Sequence, residues 1–415
     1  RELVLARPRS AHRGPRSTCQ GDTTHVLVLS ARSKALRAVA VFGLVGVLVG
    51  ACGGKDSSDE TSTDEPTSEA AGSGSGDAAG GDTFKAAWVL VGPSNDGGWS
   101  QAHNEGRLAV EEALGDTVET TFKENVAEGP EATQTIEDLI KDGNKIIFAT
   151  SFGYGDALKE LAAKYPDVYF EHATGAATSD NLATYFGAAE DTIYLTGLAA
   201  GSAVQPGEQV GFVAPFPIPE VIRHINAFTI GVREVNPTAT VKVVWTNTWF
   251  DPAKERAAAD SLVAAGVKAI VSGQDSPASG EAAKAAGLPF VGYDSDQSKN
   301  LPEVWLTASL YHWGPYYTER VTAAMDGTWK TGEYYGGIED GFVSLAPYGE
   351  RVTTPVKDLI AKRQQEIVAG TFYEFTGPLM DQSGAEKVAA GTKLTLPEIL
   401  TMDWFVQGVE GDPKG

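Results

Sequence analysis

From Phe84 onward, short apolar runs alternate with amphipathic stretches, and the alternation occurs in two successive series. This is the pattern of βαβ units, whose parallel sheets must be covered by helices. In the first series the expected strands are Lys85–Val91, Val118–Lys123, Lys145–Ala149, Val168–Glu171 and Ala183–Phe186. The helices between and after them are Trp99–Leu114, Gly129–Asp142, Tyr154–Tyr165 and Asp191–Val204. Gln205-Pro-Gly-Glu breaks the pattern. The second series has strands Gln209–Ala214, Val241–Trp245, Ala269–Val271 and Pro289–Gly292, with helices Pro219–Val235, Pro252–Ala265 and Ser279–Ala286. A segment near Val304–Ser309 is expected to return the chain to the first lobe, helix Pro315–Met325 follows, and Gly337–Leu345 crosses back. The expected fold is α/β: a two-lobe clamshell with a parallel sheet in each lobe and several crossings between them. Lobe 1 is expected to comprise 83–204 with about 308–336, and lobe 2 205–307 with about 337–415. Hinge closure around a ligand is the usual motion of such a shape.

In open α/β sheets ligands sit beyond the carboxyl ends of the strands. The stretches there are rich in aromatics beside Asp or Asn. They include Asp96 and Trp99, with His103 one turn further, then Phe152, Phe216, Asn247 with Trp249, Asp275, Asp294 with Asp296, and Tyr311. Stacked ring faces and carboxylate acceptors suit a flat heterocycle with polar edges, and they also suit a sugar. Each residue has a plainer reading. Trp99 can pack its helix on the sheet, Asp96 and Asp251 can be helix caps, Trp249 and Phe250 can pack lobe on lobe, and His103 can be a packed helix-face residue.

Residues 1–25 show no hydrophobic period and do not begin with Met, which suggests an over-extended gene start. Basic residues Arg32, Lys34 and Arg37 then precede an apolar run from Ala38 to Val49 and the small residues before Cys52, an export signal. That run is too short for the roughly 20 residues a bilayer span requires. Residues 53–82 hold no large apolar side chain, so a disordered tether is expected. The expected address is the outer face of the cytoplasmic membrane, where NAD and ATP are not normally supplied.

The net charge is −22, and residues 53–415 carry −28, which argues against a nucleic-acid binder. Two cysteines, Cys19 and Cys52, exclude a disulfide scaffold or a cysteine-based zinc site. Gly153-Tyr-Gly155 with Leu158 mimics a dinucleotide fingerprint but lacks its third glycine. There is no GxxxxGK[ST] loop, no HExxH and no GxSxG elbow. Nothing demands an enzyme, a metal or a cofactor.

Several blocks of the sequence are similar to those of one family. They are Asp96-Gly-Gly-Trp99-Ser-Gln-Ala-His103-Asn-Glu-Gly-Arg107, Ala149-Thr-Ser-Phe152-Gly153, Phe170-Glu-His-Ala-Thr-Gly175 and Phe216-Pro-Ile-Pro-Glu-Val221. Further blocks are Trp245-Thr-Asn-Thr-Trp-Phe-Asp-Pro252, Trp313-Gly-Pro-Tyr-Tyr317 and Phe375-Thr-Gly-Pro378. From about Phe84 to its C-terminus the chain resembles the basic membrane protein (Bmp) family of ABC-transporter substrate-binding lipoproteins. The Leu48-Val-Gly-Ala-Cys52 motif also resembles a lipobox, implying lipidation at Cys52. The resemblance implies a periplasmic-binding-protein fold with three interlobe crossings, and a purine base or nucleoside passed to a membrane permease. It implies that Trp99 and Phe152 line the first lobe's side, Phe216 and Trp249 the second's, and that Asp96, Asp275 and Asp296 accept ring or ribose donors. Purine-nucleoside binders of the family carry a lysine near the final crossing, where this chain has Thr307-Ala-Ser-Leu-Tyr311-His312. Its lack favours a free base. A monomer is expected, and Trp99→Ala is expected to weaken binding with the fold intact. Two alternatives are a receptor of the same fold for a sugar or other metabolite, and a secreted nucleoside hydrolase using Asp294 and Asp296.

Overall fold

A strand buried on both faces must be apolar throughout, and β1 (Phe84–Val89) reaches zero exposure from Ala86 onward. The computed structural model describes residues 83–415. The leader, Cys52 and tether expected at 1–82 lie outside the described residues. After β1 come α1 (Trp99–Leu114), β2 (Val118–Lys123), α2 (Pro130–Lys141), β3 (Ile146–Ala149), α3 (Gly155–Lys164), β4 (Tyr169–Ala173) and β5 (Leu182–Gly187). The chain continues through α4 (Ala189–Ser202), β6 (Gln209–Ala214), α5 (Pro219–Val235), β7 (Thr240–Trp245), α6 (Pro252–Ala264), β8 (Ala269–Ser272), α7 (Ala278–Ala286) and β9 (Phe290–Asp294). It then forms β10 (Trp305–Tyr311), α8 (Trp313–Met325), β11 (Glu333–Gly336), β12 (Val343–Leu345) and α9 (Thr354–Val368). Short elements end the fold: β13 (Leu379–Met380), β14 (Glu386–Val388), α10 (Leu396–Ile399) and β15 (Val409–Glu410).

The first sheet has the order β11-β5-β4-β3-β1-β2, with every pair parallel. The second has the order β12-β10-β9-β8-β6-β7-β15, parallel except for β12 against β10. Three passages link the two sheets: β5 to α4, Tyr311 to α8, and β11 to β12.

Two crossings fall elsewhere than expected. Trp305–Tyr311 is a strand of the second sheet beside β9, so the return to the first lobe comes after Tyr311 rather than at Val304–Ser309. The helix expected at Asp191–Val204 was assigned to lobe 1, but α4 packs on α5 and β10. A Cβ on Gly231 would stand 2.1 Å from the Tyr194 carbonyl oxygen, and Thr192 Oγ1 lies 2.7 Å from Ser309 Oγ. Nearly every residue of α4 is buried because it has neighbours all round, and such a helix carries no amphipathic stripe. We propose lobe limits drawn from this packing, with the first crossing at Gly187–Ala189.

Helix α8 is anchored to the first lobe by polar atoms. Glu171 on β4 is fully buried and accepts hydrogen bonds from Tyr316 Oη at 2.7 Å, Arg320 Nε at 2.5 Å and Trp329 Nε1 at 2.7 Å. The Glu171 carboxyl is thus consumed by the fold.

Candidate solute-binding cleft

The carboxyl ends of both sheets face one cleft of ≈ 680 Å3, part of it open to solvent. Its first-lobe wall is made by the loops after β1, β3 and β4, contributing Trp99, Phe152 and Thr174. The second-lobe wall comes from the loops after β6, β7 and β8, from β9, and from the first turns of α5, contributing Trp249, Asp275, Tyr293, Glu220 and His224. Aliphatic and aromatic side chains dominate, and among the described residues no Lys or Arg lines it.

Four of the expected residues line the cavity: Trp99, Phe152, Trp249 and Asp275. Trp99 is 7% exposed and its Nε1 donates to the Thr150 carbonyl at 2.7 Å, so one ring edge is fixed by the fold. Phe152 is 45% exposed at the mouth. Asp275 is buried with Oδ2 unpartnered.

Three expected residues are not among those that line the cavity but are neighbours of residues that do: Asp96 of Asp275, Asp294 of Tyr293 and Tyr311 of Trp99. Asp96 caps α1, accepting from Gly98 N at 2.8 Å, Ser100 N at 2.9 Å and Gln101 N at 3.0 Å. Asp294 ends β9 with left-handed backbone (φ 61°) and neither carboxylate oxygen partnered. Tyr311 is stacked 4.8 Å from Trp313 and its hydroxyl lies 3.4 Å from that of Tyr293.

The other four are not brought to the cavity. His103 is fully buried, stacked 4.2 Å from Trp313, with Nδ1 sharing a hydrogen bond of 2.5 Å with Tyr317 Oη. That is a packing position, because the aromatic layer of α8 covers this face of α1. Phe216 packs edge-on against Trp249 at 5.1 Å, supporting the lining residue instead of lining. Asn247 is exposed and occupies a left-handed turn (φ 55°). Asp296 is exposed and accepts from Ser298 N at 2.9 Å, a local Asx turn. Asp251 is the cap of α6, as its place before Pro252 suggested.

Glu220 and His224 were not nominated. Glu220 lies within the Phe216–Val221 block, and His224 within the helix expected at Pro219–Val235. Their spacing of four on a largely buried helix was the available signal.

The two lobes touch on both sides of the cleft. Trp249 Nε1 donates to Glu128 Oε1 at 3.2 Å, and that oxygen also accepts from Ser151 Oγ at 2.6 Å and Gly153 N at 2.8 Å. On the other side the Ser295 hydroxyl and Gln297 Nε2 (3.2 Å) donate to the Gly97 carbonyl. Gly98 lies flat on the backbone of Asp275, where a Cβ would stand 2.4 Å from the carbonyl oxygen.

Burial raises the carboxyls around the cleft. Asp275 and Asp294 are held well above the ordinary range by desolvation, reinforced by the charge of Asp96. Asp96 is raised by desolvation despite its three backbone donors. Glu220 is raised to about 7 by desolvation, with Arg223 opposing and Glu190 reinforcing. Among the described residues, no group of three His, Cys, Asp or Glu side chains is arranged to hold a metal ion.

These shifts set a sign for pH. The folded protein retains protons that the unfolded chain releases, so stability falls as pH rises from the ordinary carboxyl value through the folded one. For Glu220 the window runs from 4.5 to about 7, worth up to about 3 kcal/mol. Surface carboxylates with lowered values, such as the half-buried Glu137 at about 2, act only below 4.5 and in the opposite sense, and the buried imidazoles of His103, His172 and His224, lowered by desolvation, oppose it below 6.5. Between pH 5 and pH 8 Glu220→Gln is therefore expected to gain urea resistance relative to wild type, by up to about 3 kcal/mol, a comparison in which the opposing histidines, present in both proteins, cancel. A difference between wild type and Glu220→Gln that does not change with pH would mean that the Glu220 carboxyl is not raised by its surroundings.

Two helix-flanked parallel sheets, crossed three times and closing on a mostly apolar cleft, define a solute-binding protein of the periplasmic type. The solute-binding protein of Aeropyrum pernix K1 superposes with a TM-score of 0.61 at 18% identity, covering 69% of this chain and 92% of that one. Residues 83–371 match the family described as ABC transporter substrate-binding protein PnrA-like (Bmp), and the chain belongs to that family. It is 41% identical over 329 residues to a purine-binding protein of Brucella abortus, covering 79% of this chain and 93% of the relative. It is also 36% identical over 332 residues to a putative ABC transporter glucose-binding protein of Haloferax volcanii, covering 80% and 82%. Members of this family are extracytoplasmic, bind solutes without converting them, and work with ABC permeases.

Proposed function

We propose that this protein captures a purine, as the free base in preference to the nucleoside, and delivers it to an ABC permease. The observation that carries the reading is the cavity wall: flat aromatic faces at Trp99, Phe152 and Trp249, with carboxyl groups at Asp275 and Glu220 and no cationic side chain. Ring N–H groups and exocyclic amines are donors that such carboxylates accept, while phosphate and carboxylate ligands would find no counter-charge. The name of the Brucella relative supports the same class. Preference for the base rests on Tyr311, which stands at the second crossing and pairs with Val343 just past the third, in the region where nucleoside binders of the family carry a lysine.

Capture proceeds by closure. A solute bound on one lobe stabilises the closed form only by its extra contacts there, which the second lobe supplies through Trp249 and Asp275. An analogue lacking a donor would leave a buried carboxylate unpaired, so discrimination between purines is steep. We further propose that Cys52 is lipidated, that residues 53–82 tether the body to the outer face of the cytoplasmic membrane, and that the protein acts as a monomer.

The second reading, a sugar receptor of the same fold, is favoured by the name of the Haloferax relative. A thermal-shift screen against purine bases, nucleosides, pyrimidines and common sugars separates the two. Ligand at 100 times its Kd stabilises by about 2.7 kcal/mol, an upward shift that is easily read. A shift with a purine base and none with sugars is expected. A response to sugars alone would overturn the purine assignment.

A further inference from the structure

Helix α5 opens at the carboxyl end of β6, and its first two turns put Glu220, Val221 and His224 in the cavity wall. Residues four apart lie side by side on a helix, so Glu220 and His224 present one continuous polar face. Arg223 is not among the lining residues. It is 2% exposed, pairs with Glu190 at 3.5 Å and lies 5.4 Å over the Phe186 ring. The cation nearest the pair in sequence is thus already committed to the start of α4.

Neither polar group is used by the fold. Glu220 is half-buried, and its carboxyl, which makes no hydrogen bond among the described residues, feels desolvation and the charges of Arg223 and Glu190. His224 is 4% exposed with Nε2 unpartnered, its ring 6.3 Å from Phe186 and 6.1 Å from Tyr293. A buried polar atom left unpaired costs free energy that an apolar residue at the same place would avoid. Here the atom borders a cavity, and a donor–acceptor pair on a rigid helix is suited to reading one edge of a planar solute.

We propose that Glu220 and His224 contact the solute directly, forming a second polar edge beside that of Asp275, and that they set which purine is retained. The choice of purine rests on the reading above. A 6-aminopurine offers a donor amine beside an acceptor ring nitrogen, and a 6-oxopurine offers the reverse. A carboxyl and an imidazole side by side treat these two edges differently, because only one order of donor and acceptor leaves no group unpaired.

The test is calorimetric titration of the full chain and of Glu220→Gln and His224→Phe with adenine, hypoxanthine, their nucleosides and glucose. The phenylalanine keeps a flat ring between Phe186 and Tyr293 while removing both nitrogens. Each variant is expected to bind the preferred purine at least tenfold more weakly and to alter the adenine-to-hypoxanthine preference. A role confined to packing would leave that preference unmoved. Wild-type Kd and preference in both variants would overturn the proposal. If the wild-type chain ignores purines and binds glucose, the purine reading fails separately. The residue assignment then stands if Glu220→Gln weakens glucose binding, and falls if it does not. Should one variant not fold, the other carries the same comparison.

Discussion

Gly98→Val is expected to weaken solute binding by about 10- to 100-fold while leaving the two lobes individually folded. The three nearest atoms to a Cβ at this position all belong to Asp275 across the cleft, the carbonyl oxygen at 2.4 Å. Contact at that distance has to be relieved by moving backbone, at a cost of about 1–3 kcal/mol. The cost arises only when the lobes meet, because no first-lobe atom stands among those three. It therefore subtracts from closure and lowers the fraction of binding-competent protein, which raises the apparent Kd in proportion. Calorimetry gives the affinity, and small-angle scattering should show the variant remaining extended when the solute is added. Binding with wild-type Kd would mean that the contact between the Gly97–Gly98 turn and the Asp275 loop is not part of the solute-bound form.

Trp99→Ala should do more than weaken binding. The indole is 7% exposed, bonded to Thr150, and within 4.4–6.1 Å of the rings of His103, Phe186, Tyr311 and Trp313. Truncating a packed aromatic of this size costs about 3–5 kcal/mol of folding stability. The expectation from sequence that the fold would be untouched is corrected by that packing. Phe152→Ala separates the two effects. At 45% exposure its loss should change stability by less than about 0.5 kcal/mol, whereas loss of one ring face should weaken a stacked solute by up to about tenfold. Urea unfolding and calorimetry on both variants decide the matter. An unchanged midpoint for Trp99→Ala would contradict the packing role, and unchanged affinity for Phe152→Ala would remove it from the site.

Much of this architecture could be read directly from the residues. Bounds for α1, α5 and β6 coincide with those expected, because Pro219 and the Gly97-Gly98 turn punctuate the helix starts and clean apolar runs mark the strands. What escaped was the allegiance of elements. Periodicity reports which face of a helix is apolar, and α4 is buried nearly all round, so nothing in its sequence said which sheet it covers. The same limit displaced the second crossing: Trp305–Tyr311, apolar apart from Thr307 and Ser309, reads like a strand of either lobe, and only its partner β9 places it. In the cleft, residues at loop tips were found because position after a strand is visible in sequence. Glu220 and His224 escaped because a helix face turned toward a cavity looks, in sequence, like one turned toward a core. The excess of expected acids at the tips has a local cause, since Asp296 and Asp96 spend their oxygens on nearby backbone.

The pairing of Val409 with Val241 has a consequence for how the chain is made. Translation runs from the amino end, so β7 leaves the ribosome long before the segment that covers its outer edge. Until residue 409 is available, β7 presents unpaired backbone groups on that side, the arrangement that invites strand addition by another nascent chain. The first sheet waits in the same way for β11 beside β5. Both sheets thus stay open at one margin through much of synthesis. A factor that delays collapse would serve this fold better than one that hastens it.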